Sequence, residues 1–135
     1  MKAMGAWGHM PFENDDARDL GADFVGAPNF NALYACVDIV LAHEGGYLDA
    51  RDSAAAIAAG EIAAAARGKP GGGVPEDVEA AARALGAPPD DLVQRCRKAL
   101  VRVQSNSELA ELMAEHGELE GPWIDSIDDL LGRLS

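Results

Sequence analysis

Ser53-Ala54-Ala55-Ala56-Ile57-Ala58-Ala59-Gly60-Glu61-Ile62-Ala63-Ala64-Ala65-Ala66 is the stretch on which the fold turns. Alanine has the highest helix propensity of any residue, and its small side chain lets a neighbouring helix approach closely. The stretch therefore predicts a helix packed tightly against the one before it. That preceding helix carries Phe30, Leu33, Tyr34, Val37, Val40 and Leu41 at spacings of three and four, with Cys36 and Ile39 on its remaining flank. Apolar on most sides, it is the expected central helix. Further upstream, Asn14 is placed to cap a first helix with Asp15 and Asp16 in its first turn, where the helix macrodipole favours negative charge. Gly26 and Pro28 should stop it.

Downstream of the alanine tract, Gly68-Lys69-Pro70-Gly71-Gly72-Gly73 reads as a flexible loop tolerant of cuts and insertions. Pro75, Glu76 and Asp77 suit the first turn of a short helix that runs through Leu85 and ends at Gly86. Pro88-Pro89-Asp90-Asp91 opens the clearest amphipathic segment. Leu92, Val93, Cys96, Ala99, Leu100 and Val103 fall on one of its faces, with Arg95, Lys98 and Arg102 opposite. Ser105-Asn106-Ser107-Glu108 caps a sixth helix with Leu109, Leu112 and Met113, closed by Gly117. Trp123, Ile124, Ile127, Leu130, Leu131 and Leu134 form the stripe of a last one. No stretch alternates at period two with β-branched residues. The expected fold is all-α: one compact bundle of about six to seven helices over residues 1–135, with an irregular N-terminal hook at about residues 1–13 folded back onto it.

The chain has 135 residues, 23 of them acidic and 11 basic, for a formal charge of −12. This length suits one domain with its own core. The charge excludes a phosphate-backbone binder and an anionic membrane surface, both of which require a basic face. Residues 1–66 carry ten acids and three bases, residues 67–104 five and seven, residues 105–135 eight and one, so a mildly basic middle lies between two acidic ends. Cys36 and Cys96 sit among apolar residues and read as reduced thiols. The first residues contain no apolar core of a secretory signal. The longest apolar run, residues 32–42, is interrupted by Asp38 and is far short of a membrane span. The expected location is cytoplasmic.

The opening Met4-Gly5-Ala6-Trp7-Gly8-His9-Met10-Pro11-Phe12-Glu13-Asn14-Asp15-Asp16-Ala17 resembles the start of a bacterial family catalogued as domain of unknown function 4259. Tyr47-Leu48-Asp49 followed by the alanine tract with Glu61 is similar to that family's middle. Ser107-Glu108-Leu109 through Trp123 to Leu134 is similar to its end. The resemblance spans nearly the whole chain, its sharpest part being the Trp-Gly, Pro-Phe, Asn-Asp pattern. It implies no activity, cofactor or catalytic residue.

Several residue groups are candidates for chemistry. Asp15-Asp16-Ala17-Arg18-Asp19 matches a D-D-x-x-D pattern that can hold magnesium against a diphosphate, but acids at a helix start are expected from the macrodipole alone, and the cap reading is preferred. Glu108, Glu111 and Glu115, followed by Asp125, Asp128 and Asp129, are spaced like the metal-binding acids of small all-α nucleotide pyrophosphohydrolases, yet an amphipathic helix must also place polar residues on its solvated face. Asp38 and Glu61 each interrupt a stretch that should be internal, and a buried carboxylate needs a partner. An edge position or a bond to the N-terminal segment, including the Trp7 indole, would satisfy them. Trp7 and Trp123 fit core packing better than a partner-binding anchor. His9, His43 and His116 lack the spacing of a helical zinc site, and neither cysteine has a neighbouring His.

Trp7, Asn14, Asp15, Asp16, Asp38 and Glu61 are thus the candidate binding residues, with no catalytic residue, metal or cofactor assigned. The expected function is a non-catalytic acidic module for protein interaction or regulation, with a basic protein as partner. The alternative is a small magnesium- or manganese-dependent hydrolase of a phosphorylated substrate, in which these acids would converge on a pocket.

Overall fold

The structure, a computed structural model, describes residues 10–43 and 45–135. Among the described residues it holds seven helices and no strand: α1 (Asp15–Gly26), α2 (Asn31–Ala42), α3 (Ala50–Ala66), α4 (Glu76–Leu85), α5 (Asp90–Ser105), α6 (Glu108–Glu115) and α7 (Gly117–Arg133). The helix starts follow their cap chemistry. Asn14 Oδ1 accepts a hydrogen bond from the Ala17 N–H at 2.8 Å, and Pro75 and Pro89 immediately precede α4 and α5. Ser107 Oγ donates to the Val103 carbonyl at the end of α5 and accepts from the Ala110 N–H of α6. Gly86 closes α4 in the left-handed region at φ +88°, a conformation that L side chains rarely adopt. α7 begins earlier than the Trp123 stripe and runs through Pro122, whose nitrogen withholds one bond of the helical ladder.

The central helix is α3, not the more hydrophobic α2. α3 packs against each of the other six helices, and 14 of its 17 residues are buried. α2 packs chiefly on α3 and α5 and leaves Ile39 46% exposed. The reason is steric. Alanine and glycine let neighbours approach from every side, as at Gly60, where an added Cβ would lie 3.2 Å from both a Leu100 methyl of α5 and a Leu130 methyl of α7. The expected close packing of the alanine helix on α2 is present.

The described part of the N-terminal segment folds back as a hook. Phe12 is buried in the core, and the Met10 N–H donates to Glu13 Oε1 at 2.9 Å. Arg18 fastens the turn to α1, donating from Nε to the Phe12 carbonyl and from Nη2 to the Glu13 carbonyl. The N-terminal residues before Met10, Trp7 among them, lie outside the described residues.

Glu61 is the one charged residue buried within α3. Its carboxylate is 4% exposed and meets the Arg133 guanidinium in a two-pronged pair, Nη1 to Oε1 at 2.9 Å and Nη2 to Oε2 at 3.0 Å. Arg133 also pairs with Asp129 at 2.8 Å and donates to the Lys69 carbonyl. The loop at residues 68–73 thus lies over this pair. A Cβ at Gly71 would come within 2.8 Å of Glu61 Oε1 and 2.9 Å of Arg133 Nη2, so a side chain there would have to displace the pair. Removing one partner of a buried pair leaves an uncompensated charge, whereas replacing both with apolar groups does not. Arg133→Met should therefore cost about 3–5 kcal/mol in urea unfolding, with most of it regained in Glu61→Met/Arg133→Met. A single substitution as stable as the native chain would contradict this role.

Candidate functional site

α1 carries Asp16, Asp19, Leu20 and Asp23 at positions i, i+3, i+4 and i+7, which places them on one face. That face looks onto the start of α3, where Asp49, Arg51, Asp52 and Ala55 complete a cleft of about 380 Å³ together with Cys36 of α2. Five carboxylates face one guanidinium there, and Leu20, Cys36 and Ala55 supply apolar lining. Asp16 and Arg51 form a two-pronged pair, at 3.2 Å from Nε to Oδ2 and 3.1 Å from Nη2 to Oδ1. Asp49 caps α3 by accepting from the Asp52 N–H at 2.8 Å. Asp19 and Asp23 are exposed and form no ion pair among the described residues.

Partial burial, reinforced by the charge of Asp49, pushes the Asp52 carboxyl above its ordinary range, against the opposing influence of His43 and Arg51. Burial and then the Asp52 charge raise the Cys36 thiol, which is therefore protonated and a poor nucleophile. Cys96 is pushed up to about 12, chiefly by burial. Both cysteines are free thiols. Among the described residues no three His, Cys, Asp or Glu side chains gather closely enough to hold a metal ion. The arrangement can accept ammonium or guanidinium groups at several separated points.

Of the five candidate residues that the structure describes, only Asp16 lines this cleft. Asn14 is a buried helix cap. Asp15 is 93% exposed and lies 4.0 Å from Arg18. Asp38 is not internal: it is half exposed at the edge of α2, where both of its oxygens accept from Arg95 Nη1 at 3.0 Å. Glu61 is internal and is neutralised by Arg133. Trp7 lies outside the described residues, and with it any bond from its indole to Asp38 or Glu61. Trp123 is a core residue, 3% exposed. Glu108 does more than face solvent, since its Oε1 accepts from the Ala50 N–H at 2.8 Å and closes the start of α3. Asp19, Asp23, Asp49 and Asp52 were not singled out as a set. The Asp16, Asp19, Asp23 spacing was readable, but the convergence of α1 on the start of α3 was not.

The family model for domain of unknown function 4259 matches residues 5–125. The chain belongs to that family. The part of this DUF4259 chain that matches contains every residue of the acidic cleft, as well as Asp38 and Glu61, and it stops within α7 before Arg133. No curated protein and no solved structure matches the chain. No helix among the described residues is long and apolar enough to cross a membrane.

Because Asp52 binds its proton more tightly in the folded chain than in the unfolded one, its charge opposes folding at neutral pH. That opposition is relieved as the pH falls through the raised folded value. Two results are expected. In carboxyl NMR titration Asp52 should titrate above the ordinary carboxylate range, and Asp49→Asn should bring it down. The stability of the native chain relative to Asp52→Asn should improve on acidification across that titration, and a pH-independent difference would contradict the burial of this group.

Proposed function

We propose that the chain is a non-catalytic, cytoplasmic interaction module whose acidic cleft receives cationic side chains of a basic protein partner. The observation that carries this reading is the Asp16, Asp19, Asp23 stripe of α1 set opposite Asp49 and Asp52 at the start of α3. Two of these carboxylates, Asp19 and Asp23, have no ion-pair partner among the described residues and remain available to a ligand. Apolar Leu20, Cys36 and Ala55 between the acids suit the aliphatic stems of lysine and arginine. A formal charge of −12 would add long-range attraction for a basic partner and speed its encounter.

The metal-dependent hydrolase has less support. Its acids are distributed among separate tasks: Asp16 pairs with Arg51, Glu61 with Arg133, and Glu108 caps α3. A reaction of that class needs them gathered around one ion.

A fluorescent Arg/Lys-rich peptide tests the reading by anisotropy at about 20 mM and about 200 mM salt, where screening of exposed charge differs strongly. Asp19→Lys/Asp23→Lys should weaken binding by about tenfold or more at the lower salt. Glu115→Lys/Asp125→Lys changes net charge equally at exposed positions away from the cleft and should have a much smaller effect. Equal losses in the two variants would mean that overall charge, not the cleft, attracts the peptide.

A further inference from the structure

On the far side of α5 from its buried face, Gln94, Arg97, Lys98 and Val101 stand at i, i+3, i+4 and i+7, so they share one helical face. With Leu131 of α7 they line an open groove of about 410 Å³. Val101 is 54% exposed, an unusual place for a large aliphatic residue. Arg97 Nε is buried and has no hydrogen-bond partner among the described residues.

In a chain with twice as many acids as bases, Arg97 and Lys98 form no ion pair among the described residues. Their neighbours on α5 are already committed. Arg95 is held by Asp38 and Asp91, and Arg102 donates to the carbonyls of His43 and Gly46. Two cations with no ion pair among the described residues, beside exposed Val101 and partly buried Leu131, complement a carboxylate that is followed, one helical turn away, by an apolar residue. A guanidinium can take such a carboxylate on two of its N–H groups.

We propose that this groove docks an acidic amphipathic helix of a partner protein, its Asp or Glu engaging Arg97 and Lys98 and its apolar residues covering Val101 and Leu131. The shape favours a helix over a small carboxylate. The lining runs along α5 for two turns, about 10 Å, as an open trough, whereas small ligands are held in cavities that enclose most of their surface. A polyanion such as nucleic acid would meet the repulsion of the whole −12 chain with only two cations to hold it. This site is independent of the acidic cleft and of opposite charge.

The test is an NMR titration of the isotope-labelled chain with a synthetic helical peptide bearing Glu and Leu at alternating i, i+3 and i+4 positions, beside the same peptide with Glu replaced by Gln. The Glu peptide should shift the amides of α5 from Gln94 to Val101 and that of Leu131. The Gln peptide should bind about tenfold more weakly, as should the Arg97→Gln chain with the Glu peptide. Val101→Gln, a neutral change at an exposed position, should weaken binding without altering the unfolding midpoint, so loss of binding is separable from loss of fold. No binding, equal affinity of the two peptides, or shifts mapping to another surface would overturn the proposal. So would octanoate competing with the peptide at equal strength, which would make the site one for small carboxylates. Groove shifts that grow with the concentration of the chain alone would assign the groove to a second copy instead.

Discussion

A helix can be surrounded on every side only if its side chains are short enough for its neighbours to reach it, and α3 meets that condition with alanine and glycine. Six helices pack on it, and the methyl groups of Leu100 and Leu130 close on Gly60 from two directions. Close approach replaces bulky packing: dispersion is gathered from many short contacts between backbones rather than from large side chains. The chain has few aromatic residues, and those in the described core, Phe12, Phe24 and Trp123, all lie outside α3. Within α3 the one charged residue that is buried is Glu61, and the guanidinium of Arg133 both neutralises it and fastens the end of α7 and the glycine loop to the middle of the bundle.

Most helix boundaries were legible because they depend on local chemistry, the exception being Gly117, which opens α7 rather than closing the sixth helix. Asn14, Pro75, Gly86, Pro89 and Ser107 each act on residues within one turn, so their meaning survives without knowledge of the fold. The buried faces of α5 and α7 were legible for the same reason. Centrality was not, because hydropathy reports how strongly a helix avoids water and not how many neighbours it can admit. α2 is the more apolar helix and yet keeps Ile39 and half of Asp38 at the surface. Partners distant in sequence were equally hidden. Nothing near Glu61 names Arg133, and nothing near Asp38 names Arg95. Arg18 lies within the D-D-x-x-D stretch, and its bonds to the Phe12 and Glu13 carbonyls, which fasten the N-terminal turn, emerge only in the fold.

The two surface sites are consequences of the same core. The beginning of α3 lies in the acidic cleft beside α1, and its second half carries α5 and α7, whose outer junction forms the cationic groove. Opposite charges are thus displayed on different faces of a rigid scaffold. A sequence tally of ten acids and three bases in one part and five and seven in another already hinted at this polarity, but only the packing turns it into two concave surfaces. Each sets charged side chains beside apolar ones that are only partly covered.

If α3 is the element on which everything else rests, its amides can open only when the whole bundle does. Native-state hydrogen exchange across the chain measures this directly. The amides from Ala56 to Ala66 should exchange with the free energy of global unfolding, and those of α1 and the outer turns of α2 with less. Exchange from α3 through local opening as easy as that of α2 would contradict the account and return the central place to the more hydrophobic helix.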